Sequence, residues 1–316
     1  MSRIGYILLS SDSVAGGQKV ILRHVEALVD LGFDAVCLTD RGNKIPRWFE
    51  HRAPIEAGDQ MRPDDILVVP DDGIRALGVA ARRAQRSVVL CQSGTPLLAV
   101  GGMAAMAEHA EQLGTFISVS PSHSAILQRL FPRAVIETVR CFADERIFRP
   151  GETKQFTGTF VARKRAMEAA AVRALANRLH PATAELGWHR IENATEAQVA
   201  SVFAGSSVHL SLSRMESVGL TALEAMASGC VCAGFDGIGG RQYTTPDNGF
   251  WVEEDDCLAA ADALAQAVSL VRSGGAPLRR YVEAGLATAR QWTYARFRQE
   301  LEATWSRLAP EARRAR

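Results

Sequence analysis

The chain lacks the features that most readily betray chemistry. None of its six cysteines stands in a C-x-x-C pair, and its seven histidines form no H-E-x-x-H or mixed His/Cys cluster. The common zinc frameworks are therefore excluded, and no protein-held metal is expected. Cys37, Cys91, Cys141, Cys230, Cys232 and Cys257 sit mostly in apolar runs, as in Gly229-Cys230-Val231-Cys232, and read as reduced, buried thiols. Charge of one sign is lacking too: 36 Lys and Arg face 35 Asp and Glu, a net charge of +1. A protein that binds nucleic acid by neutralising phosphates needs a basic surplus. Aromatics make up 7%, too few for a base-stacking platform, so nucleic acid is not an expected partner. A membrane-crossing run is also missing. The charge-free stretch 87–107 is broken by Gln92-Ser93-Gly94-Thr95-Pro96 and by Gly101-Gly102, whereas a spanning helix needs about 20 mostly apolar residues. The apolar run 4–9 is too short for a signal-peptide core, so a cytoplasmic location is expected.

What is present is ordinary globular material. The 316 residues are 47% hydrophobic and 22% charged, which suggests two domains, each with its own core. Short β-like runs at 4–9, 35–38, 66–69, 87–91 and 116–119 alternate with helical stretches such as 74–83 and 104–113. A polar, glycine-bearing loop spans 10–17. After a polar crossover at 142–151 the alternation resumes. Strands are expected at 156–161, 185–188, 208–212 and 231–235, with helices at 163–179, 196–204, 220–227, 255–271 and 278–307. The basic tail 310–316 reads as frayed. Strand–helix alternation argues for parallel sheets covered on both faces, and hence for two doubly wound α/β halves. Their ligands are expected outside the carboxyl ends of the strands, in the cleft between the halves.

The most informative segment is 213–232, SRMESVGLTALEAMASGCVC. It follows a strand and opens a helix. Free N–H groups at a helix start attract anions, and Gly219 has no Cβ to keep a phosphate from the main chain. Glu216 and Glu224 flank that start. Two carboxylates beside an anion site make sense if they accept hydrogen bonds from sugar hydroxyls. Isolated from their context, the same acids could equally be exposed residues stabilising the helix dipole.

The segment MESVGLTALEAMASGCVCAG resembles the signature of retaining glycosyltransferase family 4, which has the GT-B fold. In that signature two glutamates, matching Glu216 and Glu224, have seven residues between them, with Gly-Leu among these and Glu-Ala-Met-Ala-x-Gly closing the motif. Gly16-Gly17, Gly32-Phe33-Asp34-Ala35-Val36, Val119-Ser120-Pro121-Ser122 and the run 143–150 resemble other family elements in the expected order. The resemblance covers most of the chain and places a Rossmann-like acceptor-side domain at 1–145. A Rossmann-like nucleotide-sugar domain follows at 146–290, and a C-terminal helix at 291–316 returns toward the first domain.

The resemblance implies transfer of a sugar from a nucleotide-diphosphate sugar to an acceptor hydroxyl with retention, in cell-envelope polysaccharide or glycoconjugate synthesis. It implies front-face attack without a required metal, and domain closure about the crossover. Glu216 would hold donor-sugar hydroxyls and Glu224 the ribose. Ser217, Val218, Gly219, Leu220 and the amides of Gly16-Gly17 would meet the donor. The family's diphosphate-binding Arg and Lys carry over to Arg163 and Lys164. Gln92 and Ser93 occupy the turn expected to face a glycan or lipid-linked acceptor. A lipid-linked acceptor leaves room for peripheral contact with the inner membrane face, and the oligomeric state is left open. The loops 236–241 and 246–249 are expected to shape the donor pocket. Two rival readings stand beside this one: an epimerase or hydrolase acting on a nucleotide sugar in the same fold, and a non-catalytic nucleotide-sugar-binding protein.

Overall fold

The computed structural model describes residues 2–9, 16–40, 45–82, 85–92, 114–162 and 165–314. They divide into two compact units, Met1–Cys141 with Phe297–Arg316, and Phe142–Arg296.

Among the described residues, the first unit has seven strands: β1 (Ile4–Ile7), β2 (Ala35–Thr39), β3 (Ile55–Ala57), β4 (Ile66–Pro70), β5 (Ser87–Cys91), β6 (Thr115–Ser118) and β7 (Val135–Thr138). Their order is β3-β2-β1-β4-β5-β6-β7, and every pairing is parallel. β2, β4 and β5 are buried along their whole length, as continuous apolar runs in a sheet covered on both faces should be. The helices α1 (Gly16–Asp30), α2 (Ile74–Arg82) and α3 (Pro121–Leu130) belong to this unit. At the sheet's start the guanidinium of Arg3, 1% exposed, donates to both carboxylate oxygens of Asp65 at 3.0 and 2.8 Å and to Glu56 at 2.5 Å. A buried arginine is tolerable only when its donors are met in this way.

The second unit holds β8 (Gln155–Val161), β9 (Gly187–Ile191), β10 (Ser206–Leu212), β11 (Val231–Phe235) and β12 (Gly249–Val252), all parallel, in the order β12-β11-β10-β8-β9. Its helices are α4 (Ala166–Leu179), α5 (Glu196–Gly205), α6 (Leu220–Ala227), the short α7 (Gly237–Gly240), α8 (Cys257–Ser273) and α9 (Gly275–Ala289). Local chemistry explains their ends. Thr195 and Gln198 form a reciprocal capping box at the start of α5. Helix α6 stops in a Schellman turn, where Gly229 takes φ +76° and Cys230 N–H donates to Ala225 C=O. The ammonium of Lys154 donates to the carbonyls of Phe203, Ser206 and Ser228 at 2.6–2.8 Å. It thereby closes the carbonyl ends of α5 and α6 with one positive charge. The sheet's core joins Phe160, Val208, Leu210, Val231 and Phe235 to Val172, Leu264 and Val268 from the helices.

In both sheets the strand order reverses once, between β1 and β4 in the first unit and between β8 and β10 in the second. In such sheets the crevice outside the carboxyl ends at that point is where ligands bind.

Several sequence expectations need correction. The 10–17 loop ends early, because Gly16 and Gly17 are the first residues of α1. Strands β3, β7 and β12 were not foreseen; none is fully buried, so none shows as a continuous apolar run. The single helix expected at 278–307 is two, α9 and α10 (Tyr294–Leu308). Between them Trp292, 7% exposed, turns inward, and its carbonyl accepts from Ala143 N–H at 2.8 Å. The tail is docked over its described residues: Ala312 is fully buried, its carbonyl accepts from Asp34 N–H, and Arg314 N–H donates to Gly32 C=O. The helix expected at 104–113 lies outside the described residues.

Helix α10 is anchored in the first unit by Trp305, fully buried, whose indole N–H donates to the Tyr6 hydroxyl at 3.2 Å. Trp305→Ala should cost roughly 3–5 kcal/mol, the range for emptying a large buried aromatic site. A fall in the urea midpoint, followed by far-UV circular dichroism, is the expected result.

Candidate functional site

The loop that joins β10 to α6, residues 213–219, is held by close backbone contacts and by the side chains of Gln242 and Tyr243. A Cβ built on Gly239 would lie 2.3 Å from the Glu216 carbonyl oxygen and 2.3 Å from the Ser217 carbonyl carbon. A Cβ on Gly237 would lie 2.8 Å from the Ser213 Cβ, and Gly237 takes φ +65°. Only glycines let α7 press against the loop so closely. Ile238 N–H donates to Arg214 C=O at 2.9 Å, and the Gln242 amide donates to Ser217 C=O at 3.3 Å. Behind the loop the Tyr243 hydroxyl donates to Gly219 C=O at 2.8 Å. Burial is the main cause that pushes the Tyr243 phenol far above its ordinary range, with Cys232, Glu216, Asp236 and Glu224 adding to it. It therefore stays a donor at any ordinary pH. Gly219 precedes α6 in the left-handed region at φ +74°, which a side chain rarely adopts. It leaves the first N–H groups of α6 without a side-chain cap.

A cavity of about 110 Å³ opens beside this loop. Val161 at the end of β8, residues 209–212 of β10, and Ser213, Glu216, Thr221 and Ala222 line it, together with Arg165. It thus occupies the switch point between β8 and β10. The volume suits one phosphate or a few hydroxyls, well below the roughly 300–1,000 Å³ of a pocket for a whole ligand. Arg165 precedes α4 without capping it; its guanidinium pairs with Glu168 at 2.9 Å and Asp255 at 2.5 Å, and its Nε is buried without a partner. Asp255 also meets Arg214 at 3.3 Å. At the cavity floor His209 Nδ1 lies 3.0 Å from Thr159 Oγ1, and burial pushes its pKa down to about 4.

Of the residues singled out from the sequence, Glu216 lies exposed on this cavity, 3.4 Å from the Ser213 hydroxyl. Ser217, Val218, Gly219 and Leu220 form the turn into α6, with Val218 and Gly219 buried. Glu224 is half-buried one turn into α6 and is not part of the cavity lining. In the first unit Gly17 and Gln92 are neighbours, since a Cβ on Gly17 would lie 2.6 Å from Gln92 Oε1, whereas around Gly16 there is open space. Arg163, Lys164 and Ser93 lie outside the described residues. Of the loops expected to shape the donor pocket, residues 237–240 pack against the 213–219 loop without lining its cavity, and Asp236, Pro246 and Gly249 line a different cavity. Arg165, His209 and Tyr243 were not singled out. For Arg165 the adjoining Arg163-Lys164 was a signal; for the other two, isolated in the sequence, there was none.

Residues 149–269 match the family model described as "Glycosyl transferases group 1". The second unit carries a glycosyl transferase group 1 domain. The cavity, the 213–219 loop and α6 all fall inside it. The whole chain is similar to an alpha-1,6-glucosyltransferase of Actinobacillus pleuropneumoniae serotype 7 (strain AP76), at 23% identity over 96% of this chain and 94% of the relative. Among solved structures it is similar to Anabaena Alr3699/HepE in complex with UDP, at TM-score 0.72 and 13% identity, covering 96% of this chain and 100% of that one. It is also similar to sucrose-phosphate synthase (tll1590) from Thermosynechococcus elongatus, at TM-score 0.69 and 16% identity, covering 98% and 100%. With its two parallel sheets, the chain has the GT-B fold these structures share. Among the described residues of the group 1 domain, and of the chain as a whole, no helix is long and apolar enough to cross a membrane.

Two expectations follow from the geometry. Gly239→Ala should destabilise the domain by about 1–3 kcal/mol, because the added methyl overpacks against backbone. Gly205→Ala, where a Cβ meets nothing within 4 Å, should be neutral or stabilising by up to about 1 kcal/mol; urea titration of both separates the two. The second concerns pH. Because His209 is neutral in the fold down to about pH 4, the unfolded chain alone takes up its proton below about pH 6.5. Stability should therefore be highest above pH 6.5 and fall between 6.5 and 4. His209→Gln should flatten part of that fall in the urea midpoint.

Proposed function

We propose that the chain is a retaining glycosyltransferase of family 4 type, moving a sugar from a nucleotide-diphosphate sugar to a hydroxyl of a glycan or lipid-linked acceptor. One observation carries this reading: within the group 1 domain, a small polar cavity at the strand-order reversal has Glu216 on its wall and the uncapped start of α6 beside it. That pairing of anion-binding amides with a carboxylate is what a sugar diphosphate needs. The amides meet phosphate oxygens and the carboxylate accepts from sugar hydroxyls.

In this reading the α6 N-terminus and the cations Arg163 and Lys164, with Arg165 beside them, stabilise the diphosphate as the bond from the anomeric carbon to its oxygen lengthens. The acceptor oxygen bonds to the same face of that carbon, and its proton passes to the departing phosphate oxygen. No protein nucleophile takes part, and the amides and cations offset the charge without a metal. Glu216 orients the donor sugar, and Glu224 accepts from the ribose hydroxyls. A UDP-glucose donor is favoured, because the relative is named a glucosyltransferase and HepE has been solved with UDP and glucose. A lipid-linked acceptor would bring the chain to the inner face of the membrane.

A thermal-shift screen of UDP-, GDP-, dTDP- and ADP-sugars should single out the donor. NMR of the product should then show the donor's anomeric configuration kept; an inverted product overturns the retaining mechanism. Glu216→Ala should lower kcat by roughly 10²–10³, the scale for losing one transition-state contact. Glu224→Ala should chiefly raise the donor KM. Wild-type kinetics in both variants would refute the assignment.

A further inference from the structure

A second cavity of the same unit, about 620 Å³, runs along the edge strand β12 and shares no lining residue with the first. Its volume falls in the range of whole-ligand pockets, roughly 300–1,000 Å³. Phe250, Trp251 and Tyr281 give it aromatic surface; the Phe250 and Tyr281 rings stack at 5.0 Å and 12°. Trp251 is fixed by its indole N–H, which donates to Asn248 at 2.8 Å. Polar groups converge on the same space. Asp262 and Gln266 are exposed one turn apart on α8, with Ala259 and Ala263 keeping that face low. At the end of β11, Asp236 also lines the groove, its carboxylate paired with Arg241 at 3.4 Å.

The lining chemistry narrows the occupant. Among the described residues no lysine or arginine lines the groove, so an anion would meet the Asp236 and Asp262 carboxylates with no cationic side chain on the wall to receive it. A cation would compete with partners already in place, since Asp262 meets His180 at 2.6 Å and Asp236 meets Arg241 at 3.4 Å. A purely apolar ligand would take the Asp262 carboxylate and the Gln266 amide out of water with nothing to replace it. A pyranose chain satisfies every term. Its C–H faces lie on aromatic rings, and its hydroxyls donate to carboxylate and amide oxygens. We infer that the β12 groove, walled by Phe250, Trp251 and Tyr281 and edged by Asp236, Asp262 and Gln266, is a second binding site that takes a neutral oligosaccharide. The inference goes beyond the transferase reading and does not rest on it.

The test is calorimetric titration of the full chain with maltotetraose, isomaltotetraose, cellotetraose and N-acetylchitotetraose, alongside UDP. At least one tetrasaccharide should bind saturably. The Asp262→Leu/Gln266→Leu pair, two exposed positions, should weaken that binding at least tenfold and leave UDP binding as in the wild type. The same sugar should change tryptophan fluorescence in the wild type and not in Trp251→Phe. No saturable binding by any of the four, or equal binding by the double variant, overturns the groove. Failure of UDP to bind counts against the transferase reading alone.

Discussion

The candidate site depends on one steric condition: two segments of main chain must touch with no side chain between them. Gly237 and Gly239 let α7 lie against residues 213–219, with carbonyl groups where a methyl would otherwise stand. That contact, with Ile238 N–H on Arg214 and the Tyr243 hydroxyl on Gly219, sets where Glu216 projects and where the first amides of α6 point. A loop held by backbone contacts and buried hydrogen bonds is pre-organised, so little reorganisation is left for a ligand to drive. The left-handed turn at Gly219 costs a glycine little, and the tyrosine behind it holds the turn in place.

Around this contact the unit places charge sparingly. Lys154 is spent on three carbonyls at helix ends, away from the cavity. Arg165 reaches the cavity while tied to Glu168 and Asp255. An incoming phosphate would thus meet a guanidinium already neutralised in part, which favours an exchange of partners over the burial of a new charge. His209 at the floor is kept neutral by burial, so the cavity offers hydroxyls, one carboxylate and the paired Arg165 guanidinium rather than a proton relay. Such a lining suits recognition of a sugar diphosphate more than acid–base work on it.

Much of this was legible beforehand. The helix 220–227 and the strand 231–235 were read with the bounds the structure has, because apolar content, a glycine before and a glycine after leave little choice. The alternation that announced two parallel sheets was equally plain, since fully buried strands such as β2, β4 and β5 must be written as unbroken apolar runs. The short edge elements were not legible. β3 and β12 are half-exposed, and their pairing depends on a neighbouring strand being in place. The break between α9 and α10 carries no proline or glycine; it is made by Trp292 entering a core its own helix does not build.

By itself, then, the sequence determined the two α/β halves, the Glu216 to Glu224 segment and the helix it opens, because local periodicity and the flanking glycines decide those within about one helical turn. Only the tertiary structure decided that α7 clamps the loop and that Arg165 and His209 share its cavity. It also separated Pro246 and Gly249 from that cavity and gave them to a groove along β12. The reason is physical. These are contacts between residues from about twenty to fifty positions apart, and whether a glycine is a hinge, a cap or a landing face depends on what another segment brings against it.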